Sequence, residues 1–260
     1  MKLAITGKGG TGKTTLSVLL ARSFAADGRK VILVDADPAT NLATTLGIAN
    51  AEKITPISEM RELIEERMEV DYDRPAAMYK LNPKVDDIPE KYWVEKDGIK
   101  LLVMGTIQEG GSGCACPQNS FLKALLMNLF FGRDEVVILD MEAGIEHIGR
   151  GTASAVDAFI VMLEASRQSM ETGQKIVRLA EQIGIKKVLA VGSKIRNDKQ
   201  QEFIQDNVDF VTLAGFLPYS EELLFSTMEG TGQIKPPSNM VNSVEKLRKA
   251  LESSLFPDNN

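Results

Sequence analysis

The sequence predicts an α/β fold: a single domain over residues 1–260, built on a doubly wound, mostly parallel sheet with helices on both faces. Two observations carry this. Short β-branched or aliphatic runs alternate with longer amphipathic stretches along the whole chain, which is the pattern of repeated strand, helix and parallel strand. A chain of 260 residues, 43% hydrophobic and 25% charged, also suffices to bury one full core, within the usual size of one such domain.

Strands are expected at 3–6, 30–35, 100–104, 135–140, 158–163, 188–193 and 210–217, where aliphatic residues run nearly unbroken. Helical apolar spacing marks 14–26, 117–131, 167–183 and 244–255. Residues 51–98 are charge-rich and irregular after a helix near 57–68, and read as an inserted flap on the domain rather than a second domain. No internal repeat or low-complexity tract interrupts the pattern.

The net charge of −6 gives the chain no global attraction for phosphate backbones or anionic lipid, so nucleic acid and membrane are poor partners for it. No apolar run has spanning length; the longest, 121–131, is broken by Lys123 and Asn128. The N-terminus leads straight into glycine-rich sequence. The two cysteines, Cys114 and Cys116, are separated by one residue, too close for an unstrained bridge. A soluble protein of the reducing cytoplasm is expected.

Gly7-Lys8-Gly9-Gly10-Thr11-Gly12-Lys13-Thr14 fits the phosphate-loop pattern in full, directly after a strand and directly before a helix. Gly9, Gly10, Thr11 and Gly12 would turn backbone N–H groups onto the phosphates. Lys13 would charge-stabilise the β and γ phosphates, and Thr14, followed by Thr15, would place a hydroxyl for Mg²⁺. The cofactors read from this loop are ATP or ADP with Mg²⁺.

Lys8 narrows the class. A second lysine at this point of the loop resembles the deviant phosphate-loop ATPases, the MinD, ParA and nitrogenase iron protein group. That resemblance implies that Lys8 reaches across a dimer to the partner's nucleotide, so ATP joins two subunits and the catalytic charge comes in trans. Asp35 and Asp37 end the second strand at the sheet edge that also carries the phosphate loop, and both are expected to face the nucleotide. Asp37, in Asp35-Ala36-Asp37-Pro38, resembles the first switch of the group; it would orient the attacking water or hold a water of Mg²⁺. Asp140, after Val136-Val137-Ile138-Leu139, resembles the acidic strand end that holds Mg²⁺ through water, and Gly144 would sense the γ-phosphate. Lys8, Lys13 and Asp37 thus carry the expected catalytic roles.

Base choice turns on Val191-Gly192-Ser193-Lys194-Ile195-Arg196. Guanine-reading loops of related proteins place an aspartate two residues after the lysine, to accept from the guanine edge. Arg196 occupies that position, so adenine is favoured, held by Ser193, Lys194 and backbone around Pro218. Ser193 departs from the asparagine many relatives carry.

The run Gly110-Gly111-Ser112-Gly113-Cys114-Ala115-Cys116-Pro117 places two thiols just before an expected helix start, where the helix dipole favours thiolate. Spacing alone leaves two readings open: reduced thiols beside a helix, or half of a soft metal site. Two thiolates fill only half of a four-coordinate site, and His147 is the only histidine. The simplest completed site is therefore Cys114 and Cys116 from each subunit of a homodimer, with Zn²⁺ or Ni²⁺ as the ion.

Taken together, the Lys8-type loop, the cysteine run, Asn119-Ser120-Phe121-Leu122-Lys123-Ala124-Leu125, Ala143-Gly144-Ile145-Glu146-His147 and Lys194-Ile195-Arg196-Asn197 resemble the CooC family. The likeness covers about Met1 to Tyr219. It implies a nickel-insertion ATPase that forms a homodimer on ATP or metal binding. Its client would be an apo nickel enzyme, carbon monoxide dehydrogenase or acetyl-CoA synthase. Rival readings are an iron–sulfur electron-transfer ATPase like the nitrogenase iron protein, and a MinD- or ParA-like positioning ATPase.

Overall fold

The computed structural model describes residues 1–37, 39–71, 79–105, 117–131, 134–142, 153–228 and 236–256. Its centre is an eight-stranded sheet in the order β3-β4-β2-β5-β1-β6-β7-β8. The strands are β1 (Lys2–Gly7), β2 (Val31–Ala36), β3 (Val94–Lys96), β4 (Ile99–Val103), β5 (Val136–Met141), β6 (Ala158–Leu163), β7 (Val188–Ile195) and β8 (Thr212–Pro218). Every pairing is parallel except that of β3 with β4. The doubly wound, mostly parallel fold expected from the sequence is the fold observed.

Burial on both faces explains why the strands read as unbroken apolar runs. In β1, Leu3 and Ile5 pack with one core while Ala4 packs with the other. In β2, Val31 and Leu33 face the first, Ile32 and Val34 the second; β5 repeats this with Val136 and Ile138 against Val137 and Leu139. One face is covered by α1 (Lys13–Ala26), α2 (Leu42–Leu46) and the C-terminal helix α9 (Ser238–Leu255), through Leu16, Phe24, Leu46, Leu247 and Leu251. The other is covered by α3 (Arg61–Met68), α4 (Ile88–Tyr92), α5 (Pro117–Phe131), α6 (Arg167–Ile183) and α7 (Asp198–Asn207). A short helix α8 (Glu221–Met228) follows β8.

The short helices α2, α4 and α8 go beyond the sequence reading, as do β3, α7 and the first turns of α9. The antiparallel edge strand β3 is only three residues long and too short for a periodicity to register. Helix α7 is polar apart from Phe203 and buried Ile204, too few apolar residues for a stripe; its visible signal is the cap, Asn197 accepting from the Gln200 N–H at 3.1 Å. Helix α9 begins at Ser238, right after Pro236-Pro237 and six residues before the expected start.

Residues around the expected flap are integral to one core. Ile57, Ile64, Met68, Val85 and Ile88 are buried with Phe121, Leu122 and Leu125 of α5. Polar contacts fix the same seam: the Ser58 N–H donates to Met104 O at 3.0 Å, and Gln118 Nε2 donates to Ser58 O at 2.6 Å. Arg67 holds Asp87 through two bonds of 2.9 Å. Met68→Ala should therefore lower stability in urea unfolding by about 2–4 kcal/mol, the usual cost of emptying a sealed core position. A change near zero would mean that this segment is detachable.

Candidate functional site: the carboxyl edge of the central strands

Strand β1 lies between β5 and β6, and the chain turns at its carboxyl end into the phosphate loop. Gly7 has φ +148°, and a Cβ there would lie 2.7 Å from Met162 O, so a side chain is barred by both backbone angle and space. Thr11 closes the loop on Lys8: its N–H and its Oγ1 both donate to Lys8 O, at 3.2 and 2.8 Å. Gly12, with φ 90°, starts α1 with no side-chain cap and no acidic residue in the first turn. The helix N-terminus is thus left to an anion. Lys13 is buried beside it, and Ser17 Oγ donates to Lys13 O at 3.0 Å.

The neighbouring strands deliver two carboxylates. Asp35 and Asp140 are register partners in the β2–β5 pair, and both are almost fully buried. Thr14 Oγ1 donates to Asp140 Oδ2 at 2.7 Å. The other oxygen, Oδ1, is buried and has no hydrogen-bond partner among the described residues. Burial pushes the Asp140 carboxyl up to about 7, the Asp35 charge adds to the rise, and Thr14 and Lys13 oppose it. A buried anionic oxygen without a donor, beside a hydroxyl, suits a hydrated divalent cation. Thr14 and Asp140 therefore fit the Mg²⁺ that a nucleotide brings.

Asp35 is used differently from the sequence expectation. Both of its carboxylate oxygens take backbone donors: Oδ1 accepts from the Asp37 N–H at 3.2 Å and Oδ2 from the Leu42 N–H at 3.0 Å. Its carboxylate thus organises the chain between β2 and α2. Burial lifts it to about 6, against those two bonds. Asp37 is half-buried in the same turn, with Oδ1 accepting from the Ala39 N–H at 2.9 Å.

On the opposite flank a cavity of about 280 Å³ extends from Gly10, Thr11 and Thr15 to Pro218, Leu224 and Met240. Ser193 and Lys194 line it too, but their polar atoms are engaged. Ser193 Oγ donates to Leu163 O at 3.3 Å, and Lys194 Nζ pairs with Glu164 Oε1 at 2.8 Å. Arg196 lines an adjoining cavity instead, its guanidinium 3.7 Å over the Tyr219 ring. The larger cavity has no carboxylate among its described lining residues to accept from a guanine edge. The wall from α8 and the first turns of α9 has no apolar periodicity in the sequence to announce it. Its signal was the Ser220 hydroxyl, which accepts from the Leu223 N–H at 3.2 Å ahead of an acidic first turn.

Gly144, His147, Cys114 and Cys116 lie outside the described residues. Among the described ones, no group of three or more His, Cys, Asp or Glu could hold a metal ion. The anchor of the cysteine-bearing segment is described: the Met104 and Gly105 N–H groups both donate to Asp35 O, at 2.9 and 3.1 Å.

The model of the CobQ/CobB/MinD/ParA nucleotide binding domain matches residues 2–234. The chain belongs to this family. Among relatives of the family, an ATP-binding protein of Methanocaldococcus jannaschii is 42% identical over 95% of this chain and 96% of its own. The carbon monoxide dehydrogenase accessory protein CooC of Rhodospirillum rubrum is 41% identical over 88% of each chain. In three dimensions, MinD of Aquifex aeolicus in its complex with MinC superposes with TM-score 0.68 at 18% identity, covering 100% of this chain and 99% of that one. MinD of Pyrococcus furiosus does so with TM-score 0.67 at 20% identity, covering 98% and 100%. These structures share the fold, and the family makes this chain an ATPase of the CooC type within the MinD/ParA group.

The buried carboxylates give a pH signature. Both are raised above 3.8, so their contribution to stability is complete below that value and is lost as pH rises through about 6 and about 7. Asp140→Asn should therefore stabilise the nucleotide-free protein at about pH 8 by about 1–3 kcal/mol, with the gain shrinking as pH falls and vanishing below about pH 4, while ATP turnover is lost. Thermal unfolding of both proteins across that range tests it.

Proposed function

We propose that this ATPase is an accessory protein for carbon monoxide dehydrogenase or acetyl-CoA synthase: a metallochaperone that carries Ni²⁺, or Zn²⁺, on Cys114 and Cys116 of two subunits and delivers nickel to the apo-enzyme. The observation that carries the reading is the anchor of the thiol segment on Asp35. The carbonyl of that residue holds Met104 and Gly105, and its carboxylate holds the turn containing Asp37. One residue thus links the nucleotide edge to the chain leading into the cysteines. The 41% identity to CooC supports the choice of client.

In this reading the phosphate loop and Lys13 hold the triphosphate, with Thr14 and, through water, Asp140 holding its Mg²⁺. That ion, when bound, neutralises charge between the β and γ phosphates. Asp37 leaves its bond to the Ala39 N–H to orient the attacking water, Gly144 registers the γ-phosphate, and Lys8 supplies charge to the partner's nucleotide. Closing the dimer brings four thiolates together around the cargo ion, and hydrolysis opens it beside the client in the cytoplasm. A metal that prefers the closed dimer must strengthen dimerisation by the same factor as dimerisation strengthens metal binding.

A MinD- or ParA-like positioning role needs a free basic or amphipathic surface. Arg248 of α9 is instead buried and ion-paired to Asp27, Glu245 and Glu252. No described helix is long and apolar enough to cross a membrane.

Cys114→Ser with Cys116→Ser should keep ATP binding but lose Ni²⁺-driven dimerisation, read by sedimentation and metal content; undiminished stoichiometric Ni²⁺ binding would remove the thiol site. A brown colour after anaerobic purification would favour the iron–sulfur rival. Lys8→Ala should bind ATP normally and lose at least about 100-fold in turnover. Full hydrolysis by that variant would end the trans-lysine role.

A further inference from the structure

Lys8 is not free in the single chain. Its Nζ donates to Gln168 Oε1 at 2.7 Å, across 160 residues of sequence. Both ends of this contact are held firmly. The Lys8 backbone is fixed by the two bonds from Thr11 to its carbonyl, so its ammonium can relocate only by turning about the side-chain torsions. Gln168 lies in the first turn of α6, where the Ser166 side chain caps by accepting from the Ser169 N–H at 3.2 Å. Thr172 Oγ1 ties the Gln168 carbonyl at 2.9 Å. The acceptor is therefore presented from a rigid helix end that packs on β6.

We infer that Gln168 is a cis latch for Lys8: it docks the ammonium within its own subunit, and dimer closure must break this contact before Lys8 can reach the partner's nucleotide. The chemistry suits a contact meant to yield. A neutral amide oxygen satisfies one of three ammonium donors without adding a charge. The N-terminus of α6 repels a cation, and the bond is exposed to water. A buried carboxylate at the same place would hold Lys8 too tightly to exchange.

The inference rests on the proposed trans role of Lys8, and the experiment separates the two. ATP-dependent dimerisation of the full chain is measured by sedimentation, with Mg²⁺ and ATP or a non-hydrolysable analogue, for wild type, Gln168→Ala, Gln168→Glu, Lys8→Ala and the double variant Lys8→Ala with Gln168→Ala. Gln168→Ala should tighten dimerisation about 2- to 10-fold, the range of one exposed charge-assisted hydrogen bond. Gln168→Glu should weaken it, and the weakening should shrink at high salt. In the Lys8→Ala background, Gln168→Ala should change nothing. A Gln168 effect that persists there, or weaker dimerisation in Gln168→Ala alone, would overturn the latch while leaving the trans lysine intact. Wild-type dimerisation and turnover in Lys8→Ala would instead remove the trans lysine, and the latch with it.

Discussion

The arrangement on which the site depends is the pairing of two buried carboxylates, Asp35 and Asp140, side by side at the carboxyl ends of β2 and β5. Burial raises both carboxyls, the Asp35 charge adds to the rise at Asp140, and both shifts oppose folding with the groups ionised. The sheet tolerates them because each has a separate task. Asp35 is satisfied by backbone N–H groups, whereas Asp140 keeps one oxygen without a donor beside the Thr14 hydroxyl. The unsatisfied member is the one that lies against the phosphate loop. An enzyme site retains such a group because the ion that arrives with substrate relieves it, so the local cost in the free protein becomes affinity in the complex.

Asp35 extends this arrangement outward. Its side chain fixes the start of α2 and the turn that carries Asp37, while its carbonyl fixes the chain leaving β4. A shift of this residue would therefore move two segments together. That is the physical form a link between nucleotide state and a distant loop must take: one element with shared contacts whose position both sites can bias.

Much of this was legible in the sequence, and the reason is local. The phosphate loop reads directly because glycine conformations, a lysine and a hydroxyl at fixed spacing admit few other uses. The central strands read from their unbroken apolar runs, since helices cover both faces. What escaped was set by contacts between distant residues. Asp35 and Asp37 look alike in Asp35-Ala36-Asp37-Pro38, and only the approach of Leu42 shows that the first holds the backbone at the start of α2. Arg196 marks only the lack of a guanine-reading aspartate in the sequence, and its stacking on Tyr219 in the neighbouring cavity is a contact between distant residues. The wall formed by Leu224 and Met240 depends on α8, a short helix whose apolar pattern is too brief to declare itself. Gln168 carries no motif at all, and its relation to Lys8 exists only once β1 and β6 are adjacent.

The site thus joins stiff parts to yielding ones. Gly7 cannot accept a side chain, Thr11 clamps the loop, and the aspartates are locked in register, so substrate meets a phosphate cradle that needs no rebuilding. The Lys8 and Asp37 side chains, by contrast, are held by single exposed hydrogen bonds, to Gln168 and to the Ala39 N–H. Contacts of that kind contribute on the order of 1 kcal/mol each, well below what a bound triphosphate and a second subunit can supply. Binding energy can then be directed to the groups that have to move while the cradle stays fixed. In the proposed cycle, this division lets the same loop hold ATP in the single chain and act on it only in the pair.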